Sequence, residues 1–246
     1  MESSRQPAQS RPRSRSRSTT QDAVRDIKQY IRDNRLRTGD LLPSEAFLCE
    51  ELGCSRSAIR EAIRALVTLD IVEVRHGYGT FVSKMSLEPL INGMVFRTIL
   101  DNDTSVENLF YVVDTREILD LSLGEELIEV FTDDDRELLL DLVDKMREHN
   151  DQGESFVVED QKFHRALLAR TKNPLIRELN DAFWQIQTEA QPILNLAMPS
   201  DIDETIKAHA DIVEALSNGN IEGYREAVLS HYAPFRRMIS AMLDAH

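Results

Sequence analysis

A chain of 246 residues with a formal net charge of −14 is long enough for two modest domains, and it is too acidic overall for an ordinary nucleic-acid binder. No apolar run reaches the roughly 20 residues that cross a bilayer, residues 1–19 lack the apolar core of a signal peptide, and two cysteines make no disulfide framework. The charge is divided: residues 1–84 carry 15 Lys+Arg against 11 Asp+Glu, whereas residues 85–246 carry 14 against 32, so two domains with different partners are expected.

Residues 1–19 are rich in Ser, Arg, Pro and Gln and have almost nothing to bury, which predicts a disordered basic tail. Its Arg11, Arg13, Arg15 and Arg17 suit either phosphate contact or a plain solubilising role. A first helix is expected over about Gln21–Asn34, capped by Thr20, with Ala23, Ile27, Tyr30 and Ile31 as its apolar stripe. Gly39-Asp40 breaks the chain. Ser44 then caps a second helix that turns Phe47, Leu48 and Leu52 inward and ends at Gly53. Cys49 and Cys54 read as small buried thiols in a reducing cytoplasm, with a redox sensor as the alternative.

Ser55 caps a third helix. Ile59, Ala62, Ile63 and Leu66 repeat at helical spacing and form its core face, while Arg56, Arg60 and Arg64 line the other side beside Ser57. Arginine can bond guanine bidentately in the major groove, and the N-terminal residues of the second helix of a helix-turn-helix reach the bases. Arg56, Ser57 and Arg60 are therefore candidates for base contact and Arg64 for a phosphate; a solvated charged face is the plain alternative. Val72, Val74, Phe81 and Val82 flank a glycine-bearing tip, Arg75–Gly79, and predict a hairpin wing. There Gly77 permits close backbone approach, and His76 either reaches a minor groove or is an exposed loop residue.

The elements GDLLPSE, LGCSRSAIREAIRAL and HGYGTFV resemble the winged helix-turn-helix of the GntR family of bacterial transcription regulators, over about residues 21–83. The resemblance implies base contacts from Arg56, Ser57 and Arg60 and minor-groove entry by His76 and Gly77. Three positions depart from the family pattern: Ala46 replaces a frequent arginine, Cys54 a usual valine, and Asp70 the glycine that closes the recognition helix. Asp tolerates the left-handed conformation better than most residues, so the turn is expected to survive.

From Glu88 onward the pattern is helical. Helices are expected near Glu88–Leu100, Ser105–Phe131, Asp133–Gln152, Ser155–Arg170, Pro174–Ala197, Asp201–Asn218 and Ile221–Leu243. Short polar turns such as Thr132-Asp133-Asp134 and Asn218-Gly219-Asn220 imply antiparallel neighbours. The fold class is thus mainly α: a disordered tail (1–19), a winged helix-turn-helix (20–84) and an antiparallel helical bundle of about seven helices (85–246).

Within the bundle Asp160 and His164 share a helix face at i, i+4, and His209 and His231 lie mid-helix, with apolar residues around His209 that point it inward. Three imidazoles and a carboxylate suit a divalent ion, Zn²⁺ by default, with Ni²⁺ or Mn²⁺ possible. From spacing alone the signal is weak, since a histidine within a helix is more often an ordinary structural or surface residue. His149 and His246 are taken as surface and tail residues.

DTREILDLSLGEELI, DQKFHRALLARTKNPLI, AHADIVEAL and GNIEGYREAVLSHYAPF resemble the effector domain of the FadR-like branch, called FCD. That resemblance implies a metal held by Asp160, His164, His209 and His231, a small carboxylate effector beside it, Arg116 as the carboxylate clamp, and a structural Asn173. The expected protein is a cytoplasmic, ligand-responsive regulator, a repressor in the first instance. It would act as a homodimer on a pseudo-palindromic double-stranded operator. The alternatives are a sensor whose signal is the ion itself, a metal-dependent enzyme fused to a DNA anchor, and a helical module with inert histidines.

Overall fold

The computed structural model describes residues 19–100, 104–196, 199 and 201–243. The tail arginines and His246 lie outside the described residues. The chain divides into two compact units, one ending at Pro89 and the other beginning at Leu90.

The first unit holds α1 (Thr20–Asp33), α2 (Glu45–Leu52), α3 (Arg56–Thr68), β1 (Val72–Arg75) and β2 (Gly79–Val82). Local chemistry sets each boundary. Thr19, one residue earlier than expected, caps α1 in a capping box with Asp22, since Asp22 sits at the third helical position where its carboxylate reaches back to the cap. Ser44 accepts from the Phe47 amide and Ser55 from the Ala58 amide, while Gly53 turns the chain between the two helices at φ 65°. Ala23 and Ile27 from α1, Leu48 from α2, and Ile59, Ala62 and Leu66 from α3 are essentially sealed from solvent. Phe47 departs from expectation: it is 45% exposed and stands edge-on to Tyr30, because α2 has two turns and only Leu48 reaches the core.

β1 and β2 pair antiparallel in the register Val72↔Val82 to Arg75↔Gly79, and Leu41 bridges to Phe81 on the outer side. Asp70 adopts φ 51°, the left-handed conformation that its position demands. Its carboxylate also accepts from the Ser83 hydroxyl and, at 2.7 Å, from the Ser86 amide, so it ties the end of the recognition helix to the strand that leaves the wing.

α4 (Glu88–Ile99) begins at the boundary and runs into the second unit, which continues with α5 (Ser105–Ser122), α6 (Gly124–Val130), α7 (Asp133–Asp151), α8 (Val157–Leu167), α9 (Pro174–Ile193), α10 (Ile202–Ser217) and α11 (Ile221–Leu243). α11 packs on α10 and α5, α7 on α8 and α10, and α9 on α5. Phe163, Leu139, Met146, Ile212 and Tyr224 are buried in its core.

The helix expected over Ser105–Phe131 is two helices, broken at Leu123. A Cβ on Gly124 would lie 2.6 Å from the Tyr224 ring and 2.7 Å from Ile221, so the glycine lets α11 come in against the break. The Tyr224 hydroxyl then donates to the Asp120 carbonyl at 2.8 Å, serving an acceptor at the end of α5. α7 starts at Asp133 as expected, with Thr132 of the expected turn as its cap in a box with Asp135. α8 is shorter than expected at both ends, and α9 stops at Ile193, one residue beyond Pro192, with Asn195 just past it at φ 54°.

Candidate metal centre and nucleic-acid interface

Three helices converge on one buried spot. α8 presents Asp160 and His164 from successive turns, α10 presents His209 and α11 presents His231. One potential ligand atom from each residue lies within 4.8 Å of the others. The Asp160 Oδ1 oxygen is 3.1 Å from His209 Nε2 and 3.7 Å from His164 Nε2, and the His209 and His231 ring centroids are 4.4 Å apart. All three histidines are buried.

These residues fit a cation. His209 Nδ1 is 2.9 Å from the Thr205 carbonyl, which can only accept, so Nδ1 donates there and Nε2 is the ring nitrogen that faces Asp160. A ring nitrogen and a carboxylate oxygen that close are matched to a cation between them, a proton or a metal ion. Neither nitrogen of His164, nor Nε2 of His209, nor Nδ1 of His231 has a hydrogen-bond partner, although buried polar atoms ordinarily do. Burial pushes the His164 imidazole down to about 4 and drives His231 well below its usual range. Burial acts against the charged form of Asp160, but the three imidazoles outweigh it and hold the carboxyl well below the ordinary carboxylate range. Burial thus favours the neutral, metal-binding form of His164 and His231.

Around this set lie groups that the sequence reading missed. Trp184 Nε1 donates to Asp160 Oδ2 at 2.6 Å, fixing the carboxylate plane. Asp120 is buried and accepts from Asn180 Nδ2 and from the Tyr232 hydroxyl, each at 2.6 Å. It stands 3.9 Å from His164 Nδ1, on the side of the ring away from Asp160. Such outer carboxylates orient metal-ligating histidines. Asp120 follows Arg116 by one helical turn, which is the one local signal it carried.

Arg116 is 3% exposed. Its Nη1 donates to Gln187 Oε1, its guanidinium lies 5.5 Å from the centre of the Tyr232 ring, and its Nε and Nη2 have no partner. It lines a cavity of about 80 Å³ together with Asp160 and His231. A larger opening of about 410 Å³, walled by Arg165, Arg177 and Asn180, meets His164 from between α8 and α9, and Trp184 lines both. His149 is half-buried rather than a free surface residue, with Nδ1 3.2 Å from Glu159, because the end of α7 packs on α8. Asn173 caps α9, accepting from the Leu175 amide at 3.0 Å.

In the first unit Arg56, Ser57, Arg60 and Arg64 are all exposed on α3, opposite its buried face. Arg60 is 3.7 Å from Glu45 and Arg64 is 2.7 Å from Glu61, pairs that are solvent-exposed and weak enough to yield to phosphate. His76 and Gly77 form the exposed wing tip, with Gly77 at φ 80°. Beside them Tyr78 is 79% exposed and Arg75 is held over the Phe81 ring at 4.3 Å. Arg75 and Tyr78 had been given no role from the sequence, although both stand in the tip. Ala46 is exposed on α2 and offers no polar group there.

The model of the family described as "Bacterial regulatory proteins, gntR family" matches residues 19–82, and the model described as "FCD domain" matches residues 111–234. The galactonate operon transcriptional repressor of Escherichia coli K12 is 24% identical over 82% of this chain and 88% of its own. The HTH-type transcriptional regulator LutR of Bacillus subtilis is 24% identical over 87% of this chain and 98% of its own. The solved structure titled Streptococcus agalactiae GntR superposes with a TM-score of 0.62 at 29% identity, covering 89% of this chain and 99% of that one.

Proposed function

The chain belongs to the gntR family of bacterial regulatory proteins and carries an FCD domain, and from that premise we propose that it is a repressor whose hold on its operator is set by a metal and a small carboxylate. It is a DNA-binding transcription regulator and not an enzyme. No helix among the described residues is long and apolar enough to cross a membrane, and we place its work in the cytoplasm.

In this reading the tail, the head of residues 20–84 and the bundle of residues 85–246 are separate domains. Arg56, Ser57 and Arg60 read bases, Arg64 holds a phosphate, and His76 and Gly77 approach the minor groove. A homodimer presents two such heads to a pseudo-palindromic operator. Asp160, His164, His209 and His231 hold the ion, Zn²⁺ first, with Ni²⁺ or Mn²⁺ also suited to nitrogen and oxygen donors. When bound, the ion supplies a positive charge for an oxygen of the acid. Arg116 takes the carboxylate, and Gln187 and Tyr232 hold the guanidinium in place. The acid changes operator affinity to the extent that it binds two conformations of the bundle unequally.

One observation carries this reading. In a chain with a DNA-reading head, Asp160 and three histidines with partnerless ring nitrogens form one buried cluster, and its Asp160 and His231 line a cavity together with Arg116, two of whose nitrogens have no partner. Metal analysis of protein purified without chelator tests it. About one divalent ion per chain is expected, lost on His209→Ala. Metal-free protein, or a His209→Ala variant with undiminished metal, would contradict it.

A further inference from the structure

Building on the reading of the chain as a homodimer on an operator of two half-sites, we propose that Asp70 is a positioning residue for DNA recognition. It clamps the start of the connection to α4 against the end of the recognition helix, and thereby sets the half-site spacing that the dimer accepts. A glycine, which the family pattern places here, could make the same turn but brings no carboxylate.

Both oxygens of Asp70 are engaged. Oδ1 accepts from the Ser83 hydroxyl and Oδ2 from the Ser86 amide at 2.7 Å. The bond from Ser83, followed by those from Ser86, holds the Asp70 carboxyl below the usual carboxylate range, so the acceptor is charged and its bonds are of the stronger kind. Ser83 is itself buried, and its amide donates to the Ile71 carbonyl at 3.0 Å, which fixes one end of the clamp by backbone as well as side chain. Between the two anchors Met85 takes φ 54°, a left-handed conformation unfavourable for a side chain of its kind. Such a conformation persists where its surroundings impose it, and the bond from Ser86 back to Asp70 does so here. The Ser86 hydroxyl then accepts from the amide of Glu88, the first residue of α4, at 3.3 Å.

Lengths decide what the clamp controls. With it in place, Leu87 alone lies between Ser86 and α4. Without the carboxylate, Lys84, Met85 and Ser86 join Leu87 as free chain, and three residues extend by up to about 10 Å. A base pair inserted between half-sites displaces one of them by about 3.4 Å along the duplex and turns it by about a tenth of a helical turn. Three released residues span that step with length to spare, whereas a connection with a fixed origin resists it. Stiffness of the connection sets how steeply binding by two linked heads depends on the distance between their sites.

The experiment compares the full chain with its Asp70→Gly and Ser83→Ala variants. Asp70→Gly keeps the turn and loses both acceptors; Ser83→Ala loosens the same clamp without touching the turn, so a change shared by both is not owed to glycine flexibility. Each is titrated by anisotropy against the operator that the parent selects from a random duplex pool, against that operator with one base pair inserted or removed between half-sites, and against a lone half-site. The parent is expected to bind the respaced operators at least tenfold more weakly and Asp70→Gly less than threefold more weakly. Ser83→Ala should fall between them, and all three should be alike on the lone half-site. Trypsin cleavage after the exposed Lys84, followed by mass, should be at least tenfold faster in Asp70→Gly. Cleavage no faster than in the parent overturns the clamp. Faster cleavage in variants as strict about spacing as the parent, or a parent indifferent to spacing, overturns the role in DNA recognition. A parent that binds the lone half-site as tightly as the full operator overturns the dimer reading and the spacing role together, and cleavage at Lys84 still decides the clamp.

Discussion

Arg56 and Arg64 stand on the same exposed face of α3, and under the proposed function their positions along the helix give them different work. Arg56 is the first residue of the helix, where a recognition helix meets base edges. Arg64 lies two turns further on, paired with Glu61. Arg56→Ala should therefore weaken binding to the specific operator by about 1–3 kcal/mol and relax sequence preference at one position. Arg64→Ala should weaken binding to all duplexes by a similar factor and shallow the salt dependence. Fluorescence anisotropy on matched and scrambled duplexes over a salt series separates the two, and equal losses on every duplex for both variants would remove Arg56 from base reading. The placement of this face was legible because the signals are local: Ser44, Gly53 and Ser55 sit within a few residues of the groups they cap or turn. Asp120 was not legible, since its partners Asn180 and Tyr232 are 60 and 112 residues away. Trp184 was missed for the same reason, its bond to Asp160 crossing from α9 to α8.

Helices α5 and α6 show where periodicity stops being informative. Their combined sequence carries a continuous helical pattern, and a single glycine inside it is a weak break. The break is decided by α11, whose Tyr224 needs the space beside Gly124 and spends its hydroxyl on the Asp120 carbonyl. Gly124→Ala would place a methyl group 2.6 Å from that ring, so overpacking should cost about 1–3 kcal/mol. Urea denaturation measures this, and a variant as stable as the parent would mean that Tyr224 can move aside. The same packing carries α5, with Arg116 and Asp120, against α11, with His231 and Tyr232. The helices of the bundle were readable one at a time, but the cavity they enclose is a product of their packing and was not.

Across the whole chain, the proposed division of labour follows the charge, with a mildly basic head and an acidic bundle. The histidines give the metal-free protein a defined response to acid. His164 is pushed down to about 4 by burial, against an ordinary value of 6.5, and His231 is lowered in the same direction. Between those values the unfolded chain binds protons that the folded chain refuses. Stability is therefore full above about pH 6.5 and falls as the pH drops toward 4. Asp160, whose folded value is also depressed, adds its own loss only below its ordinary 3.8. The urea midpoint of chelator-treated protein should be lower at pH 5 than at pH 7.5, whereas equal midpoints would mean that these imidazoles are not buried in their neutral form.

The central claim is that a carboxylate gripped by Arg116 beside the four-residue cluster governs the grip on DNA. Operator affinity of the zinc-loaded protein, measured by anisotropy while small carboxylic acids are added one at a time, tests it most directly. The account predicts that affinity falls with acid in the parent protein and stays constant in Arg116→Lys over the same range. Affinity that rises or stays flat in the parent, or that falls equally in the variant, would contradict it.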